Sequence, residues 1–136
     1  MTLHRSGLAA GTLALFASVV LAACSVAAGG TKVEITMRYS QFEPTLIHVP
    51  HGQPITFVLR NDDPIDHEWI VADAATHEAH RTGTEPHHAE RPTEVSVAGR
   101  STVRTLITFT EPTTLTFICH LPGHEAYGMR GTLIVD

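Results

Sequence analysis

The run Cys119-His120-Leu121-Pro122-Gly123-His124-Glu125-Ala126-Tyr127-Gly128-Met129 sets a thiol, an imidazole and a thioether close together on one stretch of chain. Soft sulfur donors favour Cu(I), and imidazole also suits Cu(II). Three such donors on one loop, with a second imidazole from elsewhere, make a trigonal two-His, one-Cys site with a weak axial Met. A donor set intermediate between the preferences of the two copper states holds both with little movement. One-electron exchange needs this, because each rearrangement of ligands adds to its barrier. Pro122 and Gly123 help to turn the loop so that Cys119 and His124 converge, while Gly128 and Gly131 allow bends around Met129.

The second imidazole should come from a distant strand end, since a rigid site is best pinned between two sheets. His67 fits, because it follows the turn from Asn61 to Asp66 and precedes the apolar Trp69-Ile70-Val71. His48 and His51 flank an earlier turn and are expected at the surface. His120 follows Cys119 directly and should point to the opposite face if the strand continues, so it stays outside the set. A second His group, His77, His80, His87 and His88, is a candidate for a further metal site. His77 and His80 are three apart, which on a helical turn shares one face.

The elements that must position these residues show a period of two. Val33, Ile35, Met37 and Tyr39 alternate with Lys32, Glu34, Thr36 and Arg38, the pattern of a half-buried strand. Further strands are expected at 45–49, 54–60, 68–72, 93–97, 102–109, 115–119 and 131–135, separated by turn signals such as Asn61-Asp62-Asp63-Pro64. About eight strands at this spacing predict an all-β, Greek-key antiparallel sandwich. Residues 73–92 break the pattern, being Ala-rich and then polar and His-rich; a helical turn or a long loop is expected there. Trp69 is expected in the core near His67, and Glu85, Glu90, Arg91 and Glu94 on a solvated face.

The N-terminus has another composition. One positive charge, Arg5, precedes an apolar run from Leu8 to Ala23 that ends in Leu21-Ala22-Ala23-Cys24. This reads as a signal peptide, and the small residues before Cys24 resemble a bacterial lipobox. Residues 1–23 are then a lipoprotein-type leader, 24–31 a lipidated tether and 32–136 one domain. With Cys24 carrying lipid, Cys119 is the only thiol left, which excludes a disulfide within the mature chain. Fourteen Asp and Glu stand against nine Lys and Arg, one of them in the leader. Such an acidic balance argues against nucleic acid or an anionic membrane surface as partner.

Phe42-Glu43-Pro44, Val49-Pro50-His51-Gly52, Asn61, His67 and Cys119 through Met129 resemble, in order, the landmarks of the cupredoxins, or blue copper proteins, across residues 32–136. The four residues between Cys119 and His124, and between His124 and Met129, are similar to the rusticyanin spacing. The resemblance implies one type 1 copper with His67, Cys119 and His124 as equatorial ligands and Met129 as the axial one. It implies a monomeric one-electron carrier, rather than an enzyme, that serves redox protein partners at the outer face of a membrane. The His-rich stretch more loosely resembles cupredoxins associated with copper handling, by sequestration or delivery. Glu68 departs from the pattern, because many members carry Asn or Ser there. A carboxylate beside a thiolate is repelled, so Glu68 is expected to point outward or to pair with a cation.

The leader generates a first prediction. Mass spectrometry of the native mature terminus should find lipid on Cys24, and Cys24→Ala should prevent that modification and alter processing; an unmodified terminus at another residue would refute it.

Overall fold

Alternation decides which side of each strand is buried. The computed structural model describes residues 30–83 and 91–136, so the leader with Cys24 and the residues Glu85, His87, His88 and Glu90 lie outside the described residues. The elements are β1 (Thr31–Arg38), β2 (Gln41–Glu43), β3 (Leu46–Val49), β4 (Pro54–Asn61), β5 (His67–Ala72), α1 (Ala74–Thr82), β6 (Glu94–Val97), β7 (Thr102–Thr108), β8 (Thr113–Ile118) and β9 (Arg130–Val135). Ile35 and Met37 of β1 and Ile55, Phe57 and Leu59 of β4 all turn inward and are fully buried. One sheet runs β2-β1-β4-β7 and the other β3-β9-β8-β5-β6.

The sandwich is therefore mostly β, as the period of two predicts, but both sheets are mixed. β1 runs parallel to β4 and β3 parallel to β9, and the remaining pairs are antiparallel. Side-chain alternation is the same in either direction, so it does not report strand direction. The short strand β2 adds to the expected set; at three residues it carries no periodicity to read.

Aromatic rings join the two sheets. Phe57 of β4 meets Trp69 of β5 with ring centroids 4.9 Å apart, and Phe117 of β8 meets Phe42 edge-on at 5.2 Å. Trp69 is fully buried, in the core as expected. Burying rings of this size is the largest single contribution available to a sandwich this small. β5 is buried from His67 to Val71, because it has strands on both edges and cover on both faces.

Part of that cover is α1, inserted between β5 and β6. Asp73 caps it by accepting the Thr76 amide at 2.8 Å, and Gly83 ends it in the left-handed region with φ of 70°. Ala74, Ala75 and Ala79 favour the helix, yet its nine residues are too few for a clear sequence period. Of the charges expected on a solvated face, Glu94 is instead buried and accepts from Arg91 Nη1 at 2.8 Å. It opens β6 opposite Ile70, with its Oε2 3.9 Å from His80 Nε2 of the helix.

The hairpin between β1 and β2 turns on Tyr39 and Ser40, both with positive φ (55° and 52°). This is the type I′ geometry that suits strand twist, but it is unfavourable for residues with a Cβ. The cost is met by Asp63, whose two carboxylate oxygens accept the Tyr39 and Ser40 amides at 2.8 Å each. Oδ2 also accepts from His67 Nε2 at 2.9 Å. Asp63 is itself held by Asn61, whose Oδ1 accepts the Asp63 amide while Nδ2 donates to the carbonyls of Ile65, Val97 and Ala98.

Asp63→Ala leaves two amides and an imidazole N–H without their acceptor. Urea unfolding of the metal-free domain should show a loss of about 2–4 kcal/mol, with Asp63→Asn intermediate because one acceptor oxygen survives. A change below about 0.5 kcal/mol for the alanine variant, the range of neutral surface substitutions, would mean that the turn does not depend on this carboxylate.

Candidate metal centre

Three strand ends deliver the donors. His67 opens β5, Cys119 follows β8, and His124 and Met129 lie on the loop that leads into β9. The loop is a series of tight turns: His124 N donates to Leu121 O, Tyr127 N to Gly123 O and Met129 N to His124 O. Gly123 and Gly128 take φ of 86° and 91°, where a side chain would be strained. Cys119 N donates to Met129 O at 3.2 Å, so Met129 is tied by its main chain to both Cys119 and His124.

The donor atoms of His67, Cys119 and His124 all lie within 4.8 Å of one another, and no other trio of His, Cys, Asp or Glu among the described residues converges as closely. Cys119 Sγ is 3.1 Å from His124 Nδ1, and His67 Nδ1 is 3.2 Å from the same atom. Cys119, His67 and Met129 are fully buried, and His124 is partly exposed. His48 and His51 are at the surface, where each contacts Asp136.

These distances fit a metal. The Asp63 carboxylate can only accept, so His67 carries its proton on Nε2 and turns a bare Nδ1 inward; such an outer partner is typical of metal-ligating histidine. Two nitrogens bound to one ion at about 2.0–2.1 Å stand about 3.3–3.6 Å apart at tetrahedral to trigonal angles, and the two Nδ1 atoms, 3.2 Å apart, are close to this. Two imidazoles and a thiolate form a mixed set of borderline and soft donors, suited to copper.

Burial sets the electrostatics. It pushes the Cys119 thiol up, against the amides of Glu68 and Leu121, which favour the thiolate. It also lowers the His124 ring, with the facing His67 adding to the effect, which favours the neutral form that can ligate. The Glu68 amide donates to Cys119 Sγ at 3.3 Å. Glu68 itself is buried rather than pointing outward, and it is this main-chain N–H that braces the sulfur.

His120 lies on the opposite face from Cys119, as expected. There it meets α1, with its Nε2 2.9 Å from His77 Nδ1 and its ring stacked on His80 at 5.3 Å. Burial, with His77 second, pushes the His120 pKa down to about 4. Burial likewise lowers His77. Asp63, the Glu68 amide and the bidentate Arg81–Glu125 pair, which ties α1 to the donor loop, have no sequence signal of their own. Each is a contact between residues far apart in the chain or hidden in a turn.

A family model described as the cupredoxin-like domain matches residues 11–135. Two relatives are both named copper-resistant cuproprotein CopI. The one from Rubrivivax gelatinosus is 34% identical over 104 residues, which span 74% of this chain and 61% of that protein. The one from Pseudomonas aeruginosa is 28% identical over 136 residues, covering 76% of this chain and 75% of that one. The chain thus spans less than two thirds of the length of the Rubrivivax relative. Among solved structures, auracyanin A, a "blue" copper protein from Chloroflexus aurantiacus, superposes with a TM-score of 0.65 at 23% identity, over 79% of this chain and 100% of that one. At that identity the likeness concerns the fold alone. With a family match over nearly its whole length, and a two-sheet sandwich that gathers a thiol and two imidazoles at one end, the chain belongs to the cupredoxin-like domain family.

Proposed function

We propose that this chain is an exported type 1 copper protein that exchanges single electrons, tethered to the outer face of a membrane through Cys24. The observation that carries the reading is the convergence of His67 Nδ1, His124 Nδ1 and Cys119 Sγ within 4.8 Å. Met129 would be the weak axial donor, since it is fully buried and hydrogen-bonded through its main chain to Cys119 and His124. Bound copper supplies the Cu(I)/Cu(II) couple. The protein's part is to hold the donors still: Asp63 fixes the His67 tautomer and the Glu68 amide steadies the sulfur. Three strong donors and a thioether leave no open position for a substrate, which supports a carrier rather than an enzyme.

The partly exposed His124 would be the port for electrons. Around it Pro122, Ala126 and Tyr127 are exposed, a small apolar rim suited to brief docking of a redox protein. A second reading, copper handling, is favoured by the copper-resistance names of the two relatives. The two readings part in cells. Loss of respiration with normal copper tolerance on deletion supports the carrier, and the reverse supports handling.

The copper-loaded domain should show an intense thiolate-to-Cu(II) absorption band, and Cys119→Ser should abolish it with the sandwich still folded. Met129→Leu should keep copper and colour but raise the reduction potential, because a donor to Cu(II) is removed. A full band in Cys119→Ser would sink the site, and an unchanged or lower potential in Met129→Leu would leave that residue as packing.

A further inference from the structure

The two imidazoles of the centre are held in different ways. His67 is oriented from outside by Asp63, which accepts from its Nε2 at 2.9 Å. The ring of His124 has no such partner among the described residues: its contacts are His67 Nδ1 and Cys119 Sγ, both inside the centre. The place of His124 is therefore set by the loop that carries it, and much of that loop is exposed.

Side chains from other elements reach this loop on two sides. Gln41 Nε2 donates to the carbonyl of Tyr127 at 2.8 Å, on the side that leads to Met129. On the other side Arg81 of α1 grips Glu125, the residue after His124: Nε donates to Oε2 at 2.9 Å and Nη2 to Oε1 at 2.6 Å. Such a bidentate pair fixes direction as well as distance, which a single contact does not. The helix delivers the guanidinium ready for this. Asp73 and Gly83 fix where the helix begins and ends, and Arg81 stands in its last turn, where a cation suits the helix dipole. Glu78, one turn earlier, accepts from Nη1 at 3.3 Å and leaves the Nε–Nη2 edge for the loop. At the receiving end the carbonyl of Glu125 accepts the Gly128 amide at 2.9 Å, and that of His124 accepts the Met129 amide at 3.0 Å. The gripped residue is thus built into the turns that carry both loop ligands.

We infer, taking His67, Cys119 and His124 as the copper site, that Arg81 is a positioning residue: through Glu125 it holds the donor loop in the arrangement that keeps His124 on the metal. The last turn of the inserted helix is then a brace for the imidazole that lacks a partner of its own. Charge and grip are separable. Removing Arg81 leaves a carboxylate beside His124, and removing Glu125 leaves a guanidinium near it. By charge alone the two changes act in opposite directions and cancel when combined. Loss of the grip acts in the same direction in both, and combining them does not undo it.

Arg81→Gln, Glu125→Gln and the two combined test this in the full chain. In the metal-free protein, hydrogen exchange at the amides of His124, Tyr127 and Met129 should rise about two- to fivefold in each variant, the factor an exposed pair of good geometry supports. In the copper-loaded protein, loss of copper to excess EDTA should speed up by a similar factor in each, with the full thiolate band at the start as a check on folding. The double variant should match the singles, because one interaction is removed in all three. Opposite effects of the two single changes on copper loss, with a double variant like the wild type, would show charge alone and overturn the inference. Unchanged exchange in the loop would overturn it as well. So would faster exchange with unchanged copper loss, since the loop would then be loosened without moving His124. The exchange measurement needs no copper, so a chain that bound none would sink the copper reading and leave the grip on the loop tested separately.

Discussion

The carboxylate of Asp63 is the constraint on which the copper end of the sandwich depends. It accepts two amides from a hairpin turn that non-glycine residues adopt at a cost, and it accepts the ring N–H of His67. Burial raises its pKa, but the amides of Ser40 and Tyr39 and the His67 ring outweigh this and hold it below the ordinary carboxylate range. An ionised, acceptor-only group at this point joins β1, β2 and β5. The orientation of the first imidazole is therefore set by the same interaction that closes the first hairpin. The first hairpin and the first imidazole of the centre thus share one carboxylate.

The thiol shows what burial does for a reactive side chain. Cys119 is fully buried and burial opposes its ionisation, so little thiolate is open to oxidants. The Glu68 amide donates to the sulfur, while its carboxylate, which strand alternation sends to the opposite face, adds its charge to the burial that opposes ionisation. This is how the chain carries Glu at a position next to a thiolate. The main chain supplies the contact, and the side chain belongs to the other side of the sheet.

Much of this was legible in the residues. Alternation located the long strands, because a sandwich buries one face of each strand. Cys119, His124 and Met129 share a loop, so their spacing alone put them together; His67 could be picked because it starts an apolar strand after a turn. What could not be read depends on contacts across the chain. Asp63 looks like any turn residue until the Tyr39-Ser40 turn is seen to close on it. The parallel pairs β1–β4 and β3–β9 leave no mark on alternation. α1 is too short for a periodic signal, and without it nothing indicated that the outer face of β5 and β8 would be covered, or that Glu68 and Glu94 would be buried.

That helix changes what a strand end can do. In a sandwich with one solvated face, His120 would be a surface residue and its position next to Cys119 would have no consequence. With α1 capped by Asp73 and clasped to the donor loop by Arg81 on Glu125, the same residue lies between two buried layers. An exposed ion pair of this kind contributes little stability by itself, about 0.2–1 kcal/mol. Its effect is geometric: it joins the helix to the loop that carries His124. The insertion between β5 and β6 therefore makes the outer side of the centre a defined surface, held by the same loop that holds the inner side.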